Sequence, residues 1–190
     1  MEPVDAIPYP GEREPAPGRL RLVQRFVNTV DYEHGREMLS DPSRLGVVLA
    51  ELGLLPRGAR VTRADLRRAH EVRAALRRLA FANNGEPVDH DALAVLERAA
   101  ADGGLVVRFQ DASAARLVPA SPGVRGALAE LVGIVYTSMA DGTWPRLKAC
   151  AREICGWLFY DRSRNRSARW CQMAVCGNRT KTRAYRARRS

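Results

Sequence analysis

Four cysteines stand in this 190-residue chain, and their spacing constrains its fold more than any other feature. Cys150 and Cys155 have four residues between them, as do Cys171 and Cys176, and the fifteen residues 156–170 separate the two pairs. Two short thiol pairs joined by a hairpin's length of chain bring four sulfurs to one point, and tetrahedral Zn²⁺ takes four thiolates at about 2.3 Å. A segment of some 45 residues with so few aliphatics buries too little to fold alone, whereas a structural metal supplies on the order of 10–16 kcal/mol. Four thiolates also close the coordination shell, so the expected cofactor is one structural Zn²⁺ with no position open for catalysis. Two disulfides or four free thiols are the alternatives. Residues 1–5 lack the basic and apolar regions of a secretory signal, which points to a cytoplasmic, reducing location where disulfides are rare.

The charge is as unevenly placed as the cysteines. The chain carries a net +10. Residues 146–190 hold thirteen basic residues against Glu153 and Asp161, a net +11, while the other 145 carry eighteen against nineteen, a net −1. A basic segment attached to a neutral body points to an anionic partner, DNA above all. Residues 156–160 are expected as a strand, residues 161–165 as a turn and residues 167–170 as the returning strand, which places Arg162, Arg164, Arg166 and Arg169 on turn and return. Arg179, Arg183 and Arg186 then recur at helical spacing on a final helix, with Lys181 and Arg188 on its adjacent face. These nine are the candidate nucleic-acid contacts, because guanidiniums pair bidentately with phosphate and with guanine edges. Trp157, Phe159 and Trp170 read as a mini-core over the metal, with base stacking as the alternative.

The body is ordinary by comparison, with apolar and charged fractions typical of a folded chain. Five prolines make residues 1–18 an extended arm. Residues 19–143 read as mainly helical: one helix through Leu22, Val23, Phe26, Val27 and Val30; a second from Asp41 or Ser43 to Leu52; a third capped by Thr62 and Asp65; a fourth opened by Asp89. A small hairpin at residues 105–109 and 115–118 precedes a long apolar helix from Pro122 through Met139. Arg67, Arg68, Arg73, Arg77 and Arg78 are expected on the solvent face of the third helix. The fold class is thus α+β, a mainly helical domain with a small β-hairpin followed at residues 144–190 by a small treble-clef-like zinc finger. The longest apolar stretch, residues 127–136, is interrupted by Glu130 and too short for a membrane. His34 reads as a surface histidine among acids, and no paired catalytic motif or phosphate-binding loop is found, so no enzyme is expected.

The finger's residues also resemble a known family. Arg146-Leu147-Lys148-Ala149-Cys150, Cys155-Gly156-Trp157-Leu158-Phe159-Tyr160-Asp161, Arg164-Asn165-Arg166-Ser167, Arg169-Trp170-Cys171 and Cys176-Gly177-Asn178-Arg179 are similar to the CGNR zinc finger of bacterial proteins. The body resembles the ABATE domain that accompanies this finger in stress-induced transcription regulators. That resemblance rests on Phe26-Val27-Asn28-Thr29, where the family has Asp-Phe-x-Asn-Thr and this chain carries Arg25 in the aspartate position. It implies zinc on the four cysteines, DNA binding by the finger, and a body that senses a small-molecule effector, with Phe26, Asn28 and Thr29 as a candidate pocket. The alternative for Asn28 and Thr29 is bonding to the neighbouring backbone near Asp31. The expected function is a transcription regulator, as a monomer or homodimer. An RNA-associated zinc protein, or a small-molecule-binding protein with a purely structural finger, is the rival.

Overall fold

The computed structural model describes residues 14–152, 154–180 and 182. Residues 1–13 of the arm, together with Lys181, Arg183, Arg186 and Arg188, lie outside the described residues.

Helix α1 (Leu20–Val27) buries Leu20, Val23, Phe26 and Val27. It ends earlier than its apolar spacing suggests. Asn28 is its C-cap, and Val30 belongs to a two-residue strand β1 (Val30–Asp31) paired antiparallel with β2 (Arg36–Glu37). The turn between them is set by Asp31, whose Oδ1 accepts from the backbone N–H groups of Glu33 and His34. Helix α2 (Pro42–Glu51) starts at Asp41, whose side chain accepts from the Arg44 N–H. Helix α3 (Arg63–Ala82) opens on a reciprocal capping box between Thr62 and Asp65. Helix α4 (His90–Gly103) starts at Asp89 and stops at Gly104, in the left-handed region at φ 62°. The hairpin β3 (Leu105–Phe109) and β4 (Ala115–Pro119) leads into α5 (Gly123–Ala140). Ser121 does not cap α5 with its side chain; its hydroxyl donates to the Asp102 carbonyl at the end of α4. No helix among the described residues is long and apolar enough to cross a membrane.

After a single 3-10 turn at Trp144–Arg146, strand β5 (Leu147–Ala149) pairs antiparallel with β6 (Leu158–Tyr160), Leu147 opposite Tyr160 and Ala149 opposite Leu158. This corrects the expected hairpin. The partner of β6 is the segment before the first cysteine, and residues 167–170 form no strand. The cause is the buried Asp161 carboxylate, which captures the Ser163 and Ala168 N–H groups and folds residues 161–168 into a closed loop.

A second correction concerns α3. Arg73 and Arg77, four residues apart, lie in the interior on the face that also buries Ala69 and Ala80, while Arg67 and Arg78 are exposed as expected. Arg73 is held by Glu37 and by the Thr29 hydroxyl. Paired charges of this kind escape a polarity pattern, which counts every arginine as surface. The core does not stop at residue 143. One cluster of buried side chains runs from Val23, Phe26 and Leu76 through Leu131 into Trp144, Leu147, Leu158 and Phe159.

Candidate metal centre and basic face

Strand β5 delivers Cys150, and the Cys150 N–H donates to the Trp157 carbonyl at 2.9 Å, extending the ladder past its last strand residue. The chain then turns through Cys155 and reverses at Gly156, whose φ of 56° favours a residue without Cβ. Cys171 precedes a wide helical turn at Met173–Gly177, and that turn carries Cys176. All four cysteines are buried and unbridged, with their sulfurs within 4.8 Å of one another. Cys171 Sγ lies 3.7 Å from Cys155 Sγ and 3.6 Å from Cys176 Sγ. A disulfide needs about 2.05 Å. The edge of a tetrahedron with metal–sulfur bonds of about 2.3 Å is about 3.8 Å, so the donor set and its spacing fit Zn²⁺.

The thiols are electrostatically coupled in the same sense. Hydrogen bonds from Cys155 and Cys171 pull the Cys150 thiol down, and hydrogen bonding to Cys150 pushes both of those thiols up. Protons on such a cluster are shared, and a divalent metal replaces them on binding.

The body holds the finger by its backbone. Asn28 Nδ2 donates to the Leu158 carbonyl at 2.9 Å and its Oδ1 accepts the Leu158 N–H at 2.8 Å, while Gln24 Nε2 donates to the same carbonyl at 3.2 Å. Asn83 donates to the carbonyls of Trp144 and Leu147, and Asn84 to those of Ala149 and Arg169. Arg77 Nε donates to the Gly156 carbonyl and its Nη2 to that of Val27.

The candidate pocket residues are therefore occupied by the protein itself. Phe26, Asn28 and Thr29 are buried, Asn28 is spent on β6, and the Thr29 hydroxyl donates to Phe26 O and accepts from Arg73. Replacing Asn28 by alanine leaves the buried Leu158 N–H unpaired, at a cost of about 1–3 kcal/mol. Urea denaturation of Asn28→Ala is expected to show that loss; a change below about 0.5 kcal/mol, the size of an ordinary surface substitution, would contradict the docking role.

The basic face is ordered from beneath. Lys148 and Asp161 form a buried ion pair, Nζ to Oδ2 at 2.9 Å, and the same Nζ donates to the carbonyls of Arg166 and Ala168. Arg146 Nη1 donates to the carbonyls of Asp161 and Ser163. Burial raises the Asp161 carboxyl, but the hydrogen bonds of Ser163 and Lys148 outweigh it and leave the group below its ordinary range. Arg162, Arg164, Arg166 and Arg169 are exposed on this pinned loop. Arg164, Arg166 and Arg169 have no ionic partner among the described residues. Arg162 pairs with Glu14 and stacks on Tyr160, and the exposed Arg179 pairs with Glu33 of the β1–β2 turn. Trp157 and Phe159 are buried in the core, as the mini-core reading expects, and Trp170 is partly buried against it. His34 Nδ1 meets Asp31 Oδ2 at 2.7 Å on the surface.

Sequence reasoning passed over Lys148, Arg152, Glu33, Asn83 and Asn84. A lysine beside the first cysteine is the one local signal available, and nothing local marks Asn83 and Asn84 as more than polar residues at the end of a helix.

These features define a class: a helical body closed by a strand that also begins a four-cysteine structural zinc finger. Family comparison makes it specific. Residues 20–153 match the ABATE family, described as "Putative stress-induced transcription regulator", and residues 146–189 match the CGNR zinc finger. The chain belongs to the ABATE family and carries a CGNR zinc finger. Comparison with curated proteins gives no match.

Proposed function

We propose that this chain is a cytoplasmic transcription regulator that binds duplex DNA through the arginine loop of its finger. The observation that carries the reading is the display of Arg162, Arg164, Arg166 and Arg169 on a loop whose backbone is fastened by the buried Lys148 and Asp161. Guanidiniums carried on a fastened backbone meet phosphate with less ordering cost than those on a loose loop. Arg179 joins them by exchanging Glu33 for a phosphate, and Lys181, Arg183, Arg186 and Arg188 extend the same charge along the sequence. The family description supports regulation rather than catalysis as the purpose. For a small-molecule effector, the cleft of about 330 Å³ between residues 17–20, β4 and α5 offers room that the filled surroundings of Asn28 do not.

Affinity for a random duplex is expected to fall with salt at a log–log slope of about 0.9 per phosphate neutralised. Arg164→Ala with Arg166→Ala removes two unpaired guanidiniums and should flatten that slope by about 1.8. An unchanged slope in the double variant, or tighter binding to structured RNA than to duplex DNA in direct competition, would refute the reading.

A further inference from the structure

Four thiolates around one Zn²⁺ leave a net double negative charge, and burying such a charge is costly unless cations and N–H donors offset it. The surroundings of the four cysteines supply both. Arg152 Nη1 lies 3.7 Å from Cys176 Sγ, and its side chain is only 13% exposed. Arg77 comes from α3 in the body, 5% exposed. Its Nε donates at 3.0 Å to the carbonyl of Gly156, the residue after ligand Cys155. Its Cδ stands 3.4 Å from where a Gly156 Cβ would lie, and its Nη1 is buried without a hydrogen-bond partner among the described residues. Glu33, also from the body, accepts from Arg152 at 2.8 Å and from Arg179. The Arg77 guanidinium lies over the Tyr32 ring, 4.7 Å from its centroid, so Arg152 is the cation in contact with a ligand sulfur, and Glu33 is balanced by Arg179.

We propose that Arg152 is the charge-compensating outer-shell residue of the metal centre, with Glu33 fixing it against Cys176 and Arg77 bracing the Gly156 carbonyl beside ligand Cys155. The zinc site is then bipartite, with ligands from the finger and two of these three supporting residues from the body. These residues set how firmly zinc is kept, through attraction and an N–H to sulfur hydrogen bond, in the way that groups behind metal ligands elsewhere tune affinity. The test uses the metal alone, without DNA, so its failure is distinguishable from failure of the DNA-binding reading.

Zinc transfer from the full, zinc-loaded chain to 4-(2-pyridylazo)resorcinol tests it, together with the absorption spectrum of the Co²⁺-substituted chain. Arg152→Gln is expected to speed release about 10–100-fold, and to move the thiolate-to-cobalt charge-transfer band to longer wavelength as the sulfur loses its donor, while the ligand-field bands stay tetrahedral. Glu33→Gln should shift both readouts in the same direction by less. Arg152→Lys keeps the charge and should restore most of the slow release. Equal release and an unmoved band in Arg152→Gln would overturn the proposal, and so would a lysine variant that loses zinc as fast as the glutamine variant.

Discussion

Cys171→Ser is expected to cost the chain its helical body as well as its finger. A structural zinc contributes on the order of 10–16 kcal/mol, comparable with the roughly 5–15 kcal/mol that holds a domain of this size together. Independent units would confine the loss to residues beyond 143. Here Trp144, Leu147, Leu158 and Phe159 sit in the same buried cluster as Phe26, Leu76 and Leu131, and the backbone of β6 is bonded to Asn28 and Gln24. Unravelling the finger therefore exposes the α1 and α3 side of the core. Circular dichroism at 222 nm should fall together with zinc content when the parent chain is titrated with a strong chelator, in one transition, and the serine variant should resemble the end point. A helical signal that survives complete metal removal would show that the body stands alone.

Lys148→Met should be nearly as damaging although it touches neither metal nor solvent. Removing one partner of a buried pair leaves the other charge uncompensated, at about 3–5 kcal/mol. Asp161 keeps two backbone N–H donors but loses its cation. Because the Asp161 carboxyl lies below its ordinary range in the folded chain, its contribution is present above the unfolded value and lost as the pH falls through the lowered one, so the gap in stability between parent and variant should narrow on acidification. Urea midpoints measure the stability, and hydrogen exchange over residues 162–169 reports whether the arginine loop has come loose. A loss below about 1 kcal/mol, the size seen for exposed pairs, would deny the clamp its role.

What could be read from the sequence divides along physical lines. Helix starts were legible because Asp41, Thr62 and Asp89 act on N–H groups three residues away, and the cysteine spacing was legible because metal geometry is strict. The strand partner of β6 was not. Either residues 147–149 or 167–170 could pair with it, and the choice is tied to Asp161, a side chain whose partners lie up to thirteen residues away. Arg73 and Arg77 misled for a related reason: their polarity says surface, and only partners such as Glu37, Val27 and Gly156 make the interior tolerable for them. Asn28 stood out as a polar residue within an apolar run, but its partner lies 130 residues further along the chain.

Apart from the pairs of Glu33 with Arg152 and Arg179 and of Glu14 with Arg162, the grip of the body on the finger falls on peptide groups. Gln24, Asn28, Arg77, Asn83 and Asn84 all engage main-chain carbonyls or N–H groups at Trp144, Leu147, Ala149, Gly156, Leu158 and Arg169. A peptide group is the same whatever side chain it bears. The outward residues of the loop other than Arg162 are thus free to diversify during evolution without loosening the joint, and one helical frame can carry many alternative loop surfaces.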